Sequence, residues 1–256
     1  MDITTRQIAE AKQHAQLNSN PNQAGLATAE ELDKARDLIE NLKSALSTKI
    51  VGQEGLKTSL LVALICNGHI LLESVPGLAK TLAAKTLAES VNGSFHRIQC
   101  TPDLLPSDII GTQIYNYGTG AFETQIGPVY SNLVLLDEIN RSSAKTQSAM
   151  LEAMQERQVT IGGALYQMPD PFLVLATQNP IEQEGTYELP EAQLDRFLLK
   201  EVLSYPTPSE ELSILDLFSS GGTKSPLPLT AKININDVKF LQQLVSKIHV
   251  DDSIRQ

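Results

Sequence analysis

Short apolar runs alternate along this chain with segments whose apolar residues recur at helical spacing. The runs at 70–72, 132–136, 172–176 and 197–202 have the length and composition of buried strands. The segment 142–157, between two of these runs, has the period of a helix. Strands that alternate with helices predict a parallel sheet covered on both faces. The predicted fold class is therefore α/β.

The same patterns predict the remaining elements. Alternation between polar and apolar residues indicates strands and hairpins, and recurrence at three and four residues indicates helices. These elements are a helix at 32–46 capped by Thr28 and Glu31, a helix at 56–66, a strand at 94–100, hairpins at 113–126 and 159–167, and helices at 209–218 and 236–249.

Composition divides the chain into three parts. Residues 1–28 are rich in Gln, Asn and Ala, and we expect a flexible tail there. Residues 29–205 carry the alternating pattern and form the predicted core. The composition changes at 205–208, Tyr-Pro-Thr-Pro, where we place a domain boundary. Residues 206–256 then begin a second, helical domain that has no clear end within the sequence.

Charge and composition narrow the classes of function. The chain has 256 residues and a formal net charge of −10, which disfavours sequence-independent binding to nucleic acid. No apolar run has the ~20 residues of a membrane span, and the polar N-terminus has no signal-peptide core. We therefore expect a cytoplasmic protein. Cys66 and Cys100 are predicted to be reduced residues in or near the core, and the four His form no zinc pattern.

The segment 74–81 has the features of a phosphate-binding loop. It follows a predicted buried strand, turns at Pro76 and Gly77, and continues into a helix that carries Lys80 and Thr81. Such a loop directs backbone N–H groups and a positive helix end at phosphate oxygens. In this interpretation Lys80 reaches the β- and γ-phosphates, and the Thr81 hydroxyl coordinates Mg²⁺.

Two positions depart from the usual pattern of such loops, G-x-x-x-x-G-K-[ST]. Ser74 and Ala79 stand where glycine is expected. Glycine is required where φ is positive or where the backbone touches the ligand, so each substitution is expected to add strain or to narrow the loop. Without other evidence, a strand, a tight turn and a helix with an exposed Lys explain this segment equally well.

Polar residues follow the other predicted strands. Asp137 and Glu138 come directly after the run 132–136, Asn179 follows 172–176, and Arg196 precedes the last strand. Polar groups at the carboxyl ends of parallel strands meet at one edge of the sheet. Taken singly, an Asp-Glu pair is more often a helix cap with a solvated Glu and an Asn-Pro is more often a turn, and Arg196 is also explained as a surface cation.

Five ordered segments resemble the MoxR family of AAA+ ATPases. The segments are Glu73–Thr81, Leu104–Asp108, Leu136–Arg141, Ala176–Tyr187 and Leu189–Phe197. The resemblance implies a three-layer αβα P-loop core with β-hairpin insertions that face the channel of a ring. It also implies a small helical lid after that core, which we expect to be incomplete in this chain.

The resemblance also implies roles for individual residues, with ATP and Mg²⁺ as cofactors. Glu138, Asn179 and Arg196 would act in catalysis, as the Walker B base, sensor 1 and the arginine finger. Thr81 and Asp137 would hold the metal. The nucleotide would contact Gly52, Gln53, Ser74, Val75, Pro76, Gly77, Leu78, Ala79, Lys80, Thr81 and Asp137. Ala79 is ordinary in this family, whereas Ser74 still departs from its pattern.

The family's function implies a homo-oligomer, expected to be a hexameric ring, that remodels or matures partner proteins. Its expected partners contain von Willebrand factor A domains, and one expected role is insertion of metal cofactors. A magnesium-chelatase-like motor subunit and a regulatory module that binds ATP without hydrolysing it remain alternatives. A DNA-translocating motor is disfavoured, because the segments 115–126 and 158–168 contain no Lys or Arg to hold phosphates.

Overall fold

The protein is described by a computed structural model that covers residues 26–75, 77–180, 187–219 and 233–254. Most of the expected tail at 1–28 therefore lies outside the described residues. The strands are β1 (Ile70–Glu73), β2 (Phe95–Gln99), β3 (Gly111–Asn116), β4 (Ala121–Ile126), β5 (Leu133–Asp137), β6 (Gln158–Ile161), β7 (Ala164–Gln167), β8 (Leu173–Gln178) and β9 (Leu199–Val202).

Helices connect and cover these strands. They are α1 (Ala29–Lys49), α2 (Glu54–Ile65), α3 (Lys80–Ser90), α4 (Pro106–Ile110), α5 (Ala144–Glu156), α6 (Glu191–Leu194), α7 (Pro208–Ser219) and α8 (Ile235–Val245), with short 3₁₀ turns at Ile139–Arg141 and Asp252–Ile254. No helix among the described residues is long and apolar enough to cross a membrane.

The central sheet has five parallel strands in the order β2-β5-β8-β1-β9. Its strands send alternate side chains into two separate cores. Leu133 and Leu135 of β5 pack with α1, α2 and α3 on one face, whereas Val134 and Leu136 pack with α5 on the other. This arrangement confirms the predicted α/β class and the three layers of the core.

The predicted cap of the first helix is present. The Glu31 backbone N–H donates to Thr28 Oγ1 (3.2 Å), and the Thr28 N–H donates to the Glu31 carboxylate (2.9 Å). At the other end of the chain, Val238 of α8 joins the core on the α1 face, and Leu241 packs near Ala35 of α1. The domain boundary at residue 205 remains a prediction.

The two predicted hairpins are confirmed as β3–β4 and β6–β7. They touch each other, because Tyr166 Oη donates to Thr124 Oγ1 at 3.1 Å and the Gln113 side chain lies against Gly162. Tyr117, at the end of the first hairpin, is 92% exposed. The hairpins therefore form one unit that projects from the sheet.

Three details of the sequence interpretation are wrong. The last strand was expected to be buried at 197–202, but β9 begins at Leu199 and lies at an end of the sheet, where Val202 is 67% exposed. The predicted helix at 236–249 ends at Val245. Cys66 is exposed at the end of α2, whereas Cys100 is buried and burial raises the pKa of its thiol to about 12.

His69, directly before β1, contacts both the helix layer on one face of the sheet and the neighbouring strand β8. Its Nε2 donates to the Met154 carbonyl of α5 (3.3 Å), and its Nδ1 accepts the Val174 N–H of β8 (3.1 Å). These contacts require a neutral ring protonated on Nε2 alone. Burial, assisted by the nearby charge of Arg157, lowers the pKa of His69 to about 4.

The folded protein is therefore predicted to lose stability on mild acidification. A histidine whose folded pKa is depressed stabilises the fold above its unfolded pKa, near 6.5, and that contribution is lost as the pH falls towards 4. The loss amounts to about 3 kcal/mol. Urea denaturation of wild type, His69→Gln and the exposed control His249→Gln at pH 7 and pH 4.5 measures it. An equal acid dependence in wild type and His69→Gln would contradict this assignment.

Candidate functional site

The predicted polar clusters meet at one edge of the sheet. β5, β8 and β1 are neighbours and run parallel, so their carboxyl ends lie side by side. The loop 74–79 follows β1, Glu138 follows β5, and Asn179 follows β8. The sequence argument placed these groups at a common edge, and the sheet order confirms that placement.

The loop after β1 leads directly into helix α3. Ser74 continues the parallel pairing, with its N–H donating to the Gln178 carbonyl at 3.1 Å. Gly77 has a φ of +89°, and a side chain there would meet no atom within 4 Å, so the loop is open at this residue. Lys80 is the first residue of α3, whose eleven residues place a full helix N-terminus beside the loop. Pro76 lies outside the described residues.

Only one of the two glycine departures lies in a strained conformation. Ala79 has a φ of 54° and a ψ of 18°, in the left-handed region that disfavours a side chain. Ser74 is not among the positive-φ residues of the described chain, so the expected backbone strain is absent there. Its hydroxyl is instead buried, with no hydrogen-bond partner among the described groups.

A cavity of about 430 Å³ opens beside this loop. Its wall contains the start of α3, the acidic residue that ends β5, the acidic residue that follows it and two polar residues of β2. The lining residues are Gly77, Leu78, Ala79, Lys80, Thr81, Leu82, Arg97, Gln99, Asp137 and Glu138. Lys80, Thr81, Asp137 and Glu138 were each predicted from the sequence to belong to one site, and they share this cavity.

Burial is the main influence on the Lys80 ammonium group. Desolvation lowers its pKa, and the positive charge of Arg97 adds to that effect. The carboxylates of Asp137 and Glu138 act in the opposite direction without cancelling it. A cation that is partly desolvated in this way interacts more strongly with an incoming anion than one in bulk water.

Both carboxylate oxygens of Asp137 accept hydrogen bonds. Oδ2 accepts from Arg97 Nη2 (2.6 Å) and Nε (3.1 Å), and Oδ1 accepts from Thr177 Oγ1 (2.7 Å). Burial alone would raise the pKa of Asp137, but these hydrogen bonds and the charges of Lys80 and Arg97 outweigh it and lower the pKa. Asp137 is therefore a carboxylate at neutral pH.

Glu138 is held at a sharp bend in the chain. Its φ of 59° is left-handed, and its N–H donates to Thr177 Oγ1 at 2.8 Å. Its carboxylate accepts from Gln99 Nε2 (3.0 Å) and lies 3.5 Å from Arg141 Nη1. Thr177 thus contacts both acidic residues, since the same hydroxyl donates to Asp137.

Arg97, Gln99 and Thr177 are site residues that the sequence argument missed. β2 pairs with β5 in a register that sets Gln99 opposite Asp137 and Arg97 two residues earlier on the same face. The available signal was the polar character of alternate residues in a strand, Arg97-Ile98-Gln99, beside a strand that ends in an acid. That signal becomes specific only once the order of the strands is known.

Asn179 and the pair Gly52–Gln53 lie outside the wall of this cavity. Asn179 is buried just past the end of β8, and its carbonyl accepts from Asn140 Nδ2 at 3.5 Å. Gly52 and Gln53 precede α2, both with positive φ, and Gln53 Nε2 donates to the Ser204 carbonyl at 3.1 Å. The Glu210 side chain at the start of α7 lies against Gly52.

The structure does not bring Arg196 to the other predicted site residues. It is exposed and precedes β9, and the nearby Leu198 N–H donates to the His69 carbonyl at the amino end of β1. Lys80 follows the opposite, carboxyl end of β1. The four residues of β1 alone separate the two ends by about 13 Å.

The residues at this edge fit a magnesium–nucleotide complex. Mg²⁺ prefers hard oxygen ligands, which the Thr81 hydroxyl and the Asp137 carboxylate provide. Lys80, the open loop at Gly77 and the N-terminus of α3 suit phosphate oxygens. When bound, the metal would neutralise charge on the β- and γ-phosphates. The fold and this set of groups define a P-loop nucleotide-binding protein.

Comparison with known proteins agrees with this class. The profile of the ATPase family associated with various cellular activities (AAA) matches residues 69–199. The chain is 61% identical over 166 residues to Chaperone MoxR1 of Mycobacterium tuberculosis, and the match covers 65% of this chain and 44% of that protein. It is 51% identical over 208 residues to the protein YeaC of Bacillus subtilis, covering 81% and 64% of the two chains.

A solved structure of a candidate ATPase from Cytophaga hutchinsonii is 48% identical to this chain. The two superpose with a TM-score of 0.75 over 87% of this chain and 68% of the other. The chain belongs to the MoxR family of AAA+ ATPases. It spans about half to two thirds of the length of the curated relatives just described.

The conformation of Ala79 generates a stability prediction. Ala79→Gly removes the side chain from a left-handed residue and is expected to raise the free energy of unfolding by about 1 kcal/mol. Ala88→Gly in the same helix should lower it by ~1 kcal/mol or more, because Ala88 is buried and helical. Urea denaturation of the three proteins measures both changes. Destabilisation by Ala79→Gly would show that the left-handed residue carries no strain.

Proposed function

We propose that this protein hydrolyses Mg²⁺-ATP and uses the released energy to remodel or mature other proteins. The observation that carries the proposal is the shared cavity. One cation at a helix N-terminus, Lys80, lies with two acidic residues, Asp137 and Glu138, around a space of about 430 Å³. A site that only bound ATP would have no use for a second carboxylate beside the metal ligand.

In the proposed mechanism each group has a separate task. Lys80 and the N–H groups of the loop bind the β- and γ-phosphates, and Thr81 and Asp137 hold Mg²⁺. Glu138 accepts the proton of the attacking water. Its neighbours Gln99 and Thr177 fix its side chain and its backbone. Asn179, at the end of the adjacent strand, orients the water or a γ-phosphate oxygen through its amide.

Arg196 supports an active site shared between subunits. It is exposed and lies at the amino end of the sheet, whereas the cavity of its own chain lies at the carboxyl end. Its guanidinium is therefore proposed to contact the γ-phosphate held by a neighbouring copy, as in a closed ring. The expected ring is a hexamer, because members of the family are typically oligomeric.

The proposed clients are proteins rather than nucleic acids. One relative is named Chaperone MoxR1, which supports a chaperone-like role. The joined hairpins β3–β4 and β6–β7 present exposed Tyr and Phe side chains but no Lys or Arg within their strands, so they suit polypeptide better than phosphate. We further propose that its partners contain von Willebrand factor A domains and that its activity matures a metal-containing client.

Two inactive variants should restore activity when mixed. Glu138→Gln removes the base and should reduce turnover by about 10² or more while ATP binding remains. Arg196→Ala leaves the cavity of its own chain intact but removes the finger offered to the neighbour, with a similar loss. In mixed rings a Glu138→Gln subunit supplies Arg196 to the intact cavity of an Arg196→Ala subunit. Phosphate release by the mixture should therefore exceed that of either variant alone.

The control for this experiment is Arg36→Ala, which alters an Arg whose side chain is 73% exposed on α1. It should hydrolyse ATP at the wild-type rate. Full turnover by Glu138→Gln would contradict the assignment of the base. Loss of ATP binding in Arg196→Ala, or mixtures no more active than their components after subunit exchange, would contradict a shared site. Absence of phosphate release from wild type would favour a regulatory module that only binds ATP.

A further inference from the structure

Arg97 is the one charged residue of the cavity wall to which the proposed mechanism gives no task. It lies in the middle of β2, and its guanidinium reaches across to β5. Both Nη2 and Nε donate to the same oxygen, Asp137 Oδ2, at 2.6 and 3.1 Å. Nη2 also donates to Gln99 Oε1 at 2.6 Å. The guanidinium is therefore held at a defined position in the wall of the nucleotide cavity.

The two oxygens of Asp137 have different partners: Arg97, which contacts Oδ2, lines the cavity, whereas Thr177, which contacts Oδ1, is not part of its wall. The other oxygen, Oδ1, accepts from Thr177 Oγ1 at 2.7 Å, and this hydroxyl is fully buried between β5 and β8. A hydrated Mg²⁺ bound by Asp137 needs one of these oxygens, either directly or through a water that donates to it. Arg97 supplies N–H donors at Oδ2 in the same way as such a water would.

Arg97 and the metal therefore exclude each other at Oδ2. Each is a cation, and two cations a few ångströms apart repel strongly in a partly desolvated site. Lys80, which lines the same cavity, adds a third positive charge. The two side chains of this ion pair also differ in exposure, since that of Asp137 is 12% exposed and that of Arg97 is 45% exposed. Arg97 is thus the partner that can move into solvent.

We propose that Arg97 is a positioning residue that takes the place of magnesium at Asp137. Without nucleotide it compensates the buried carboxylate and keeps Asp137 in place, and the incoming Mg²⁺–ATP must displace it. The same side chain contacts Gln99, whose amide holds Glu138, so displacement changes the hydrogen bonding of both acids at once. This inference rests on the proposed function of the cavity.

Removing Arg97 should strengthen metal binding to the protein without nucleotide. In Arg97→Met the aliphatic part of the side chain remains and the competing cation is gone, so MnCl₂ should bind at about tenfold lower concentration, the equivalent of one charge-assisted hydrogen bond. Electron paramagnetic resonance of free Mn²⁺ measures this directly. Arg97→Lys keeps a charge but only one point of contact, and should give an intermediate value.

A double variant separates competition at Asp137 from an indirect effect. If Arg97 acts through Asp137, then Arg97→Met should strengthen Mn²⁺ binding in the wild-type background but not in the Asp137→Asn background. Arg36→Met is the matched control, because Arg36 also pairs with an aspartate, Asp33, at 3.3 Å. This pair lies on the exposed surface of α1, and Arg36 is not part of the cavity wall. Thermal unfolding of each variant without metal checks that the fold is intact. If Arg97→Met does not fold, Arg97→Lys replaces it in the comparison of Mn²⁺ binding.

The outcomes are distinct. Tighter Mn²⁺ binding by the Arg97 variants, absent in the Asp137→Asn background, supports the proposal. Unchanged or weaker Mn²⁺ binding by folded Arg97→Met or Arg97→Lys overturns it, as does an equal gain with Asp137→Asn. Binding of a fluorescent non-hydrolysable ATP analogue to wild type with and without MgCl₂ tests the proposed function separately. Failure there refutes the nucleotide site itself, whereas normal binding with unchanged metal affinity refutes only the role of Arg97.

Discussion

The site depends on a carboxylate that the sheet has buried. Asp137 ends a strand whose preceding four residues are all buried, so its charge is largely removed from bulk water. Thr177 from one neighbouring strand and Arg97 from the other supply that compensation through both oxygens, and the nearby Lys80 adds a positive charge. In the proposed mechanism the same carboxylate would hold Mg²⁺. The stability of the fold and the proposed binding of the ligand thus both depend on the Asp137 carboxylate.

The direction of the strands decides which groups one subunit can bring together. Parallel strands place the phosphate loop, Asp137 and Glu138 at a single edge, and they place Arg196 at the other. One chain therefore holds the groups proposed to bind nucleotide at one edge and its candidate arginine finger at the other. In the proposed mechanism this geometry makes assembly a requirement for hydrolysis, since only a second copy can present Arg196 to the cavity.

Local patterns predicted the residues whose position follows from the chain itself. Asp137 ends β5, Asn179 directly follows β8, and Lys80 follows β1 after a short loop, so the periodicity was sufficient to place them at one edge. Arg97 and Thr177 could not be found in that way, because their contacts depend on the order and register of strands far apart in sequence. Ser74 and Ala79 looked equivalent as missing glycines, and only the backbone torsions distinguish them. Exposure of β9 likewise depends on its place at the end of the sheet.

The most direct test of the account is the affinity of the cavity for an ATP analogue in the presence of MgCl₂, compared between Lys80→Ala and Lys85→Ala. Both residues belong to α3, but only Lys80 lines the cavity, and Lys85 is exposed. Loss of a charge-assisted contact to phosphate should weaken binding by about tenfold or more in Lys80→Ala. Lys85→Ala should bind as wild type does. Equal affinity of both variants and wild type would contradict the assignment of this cavity as the nucleotide site.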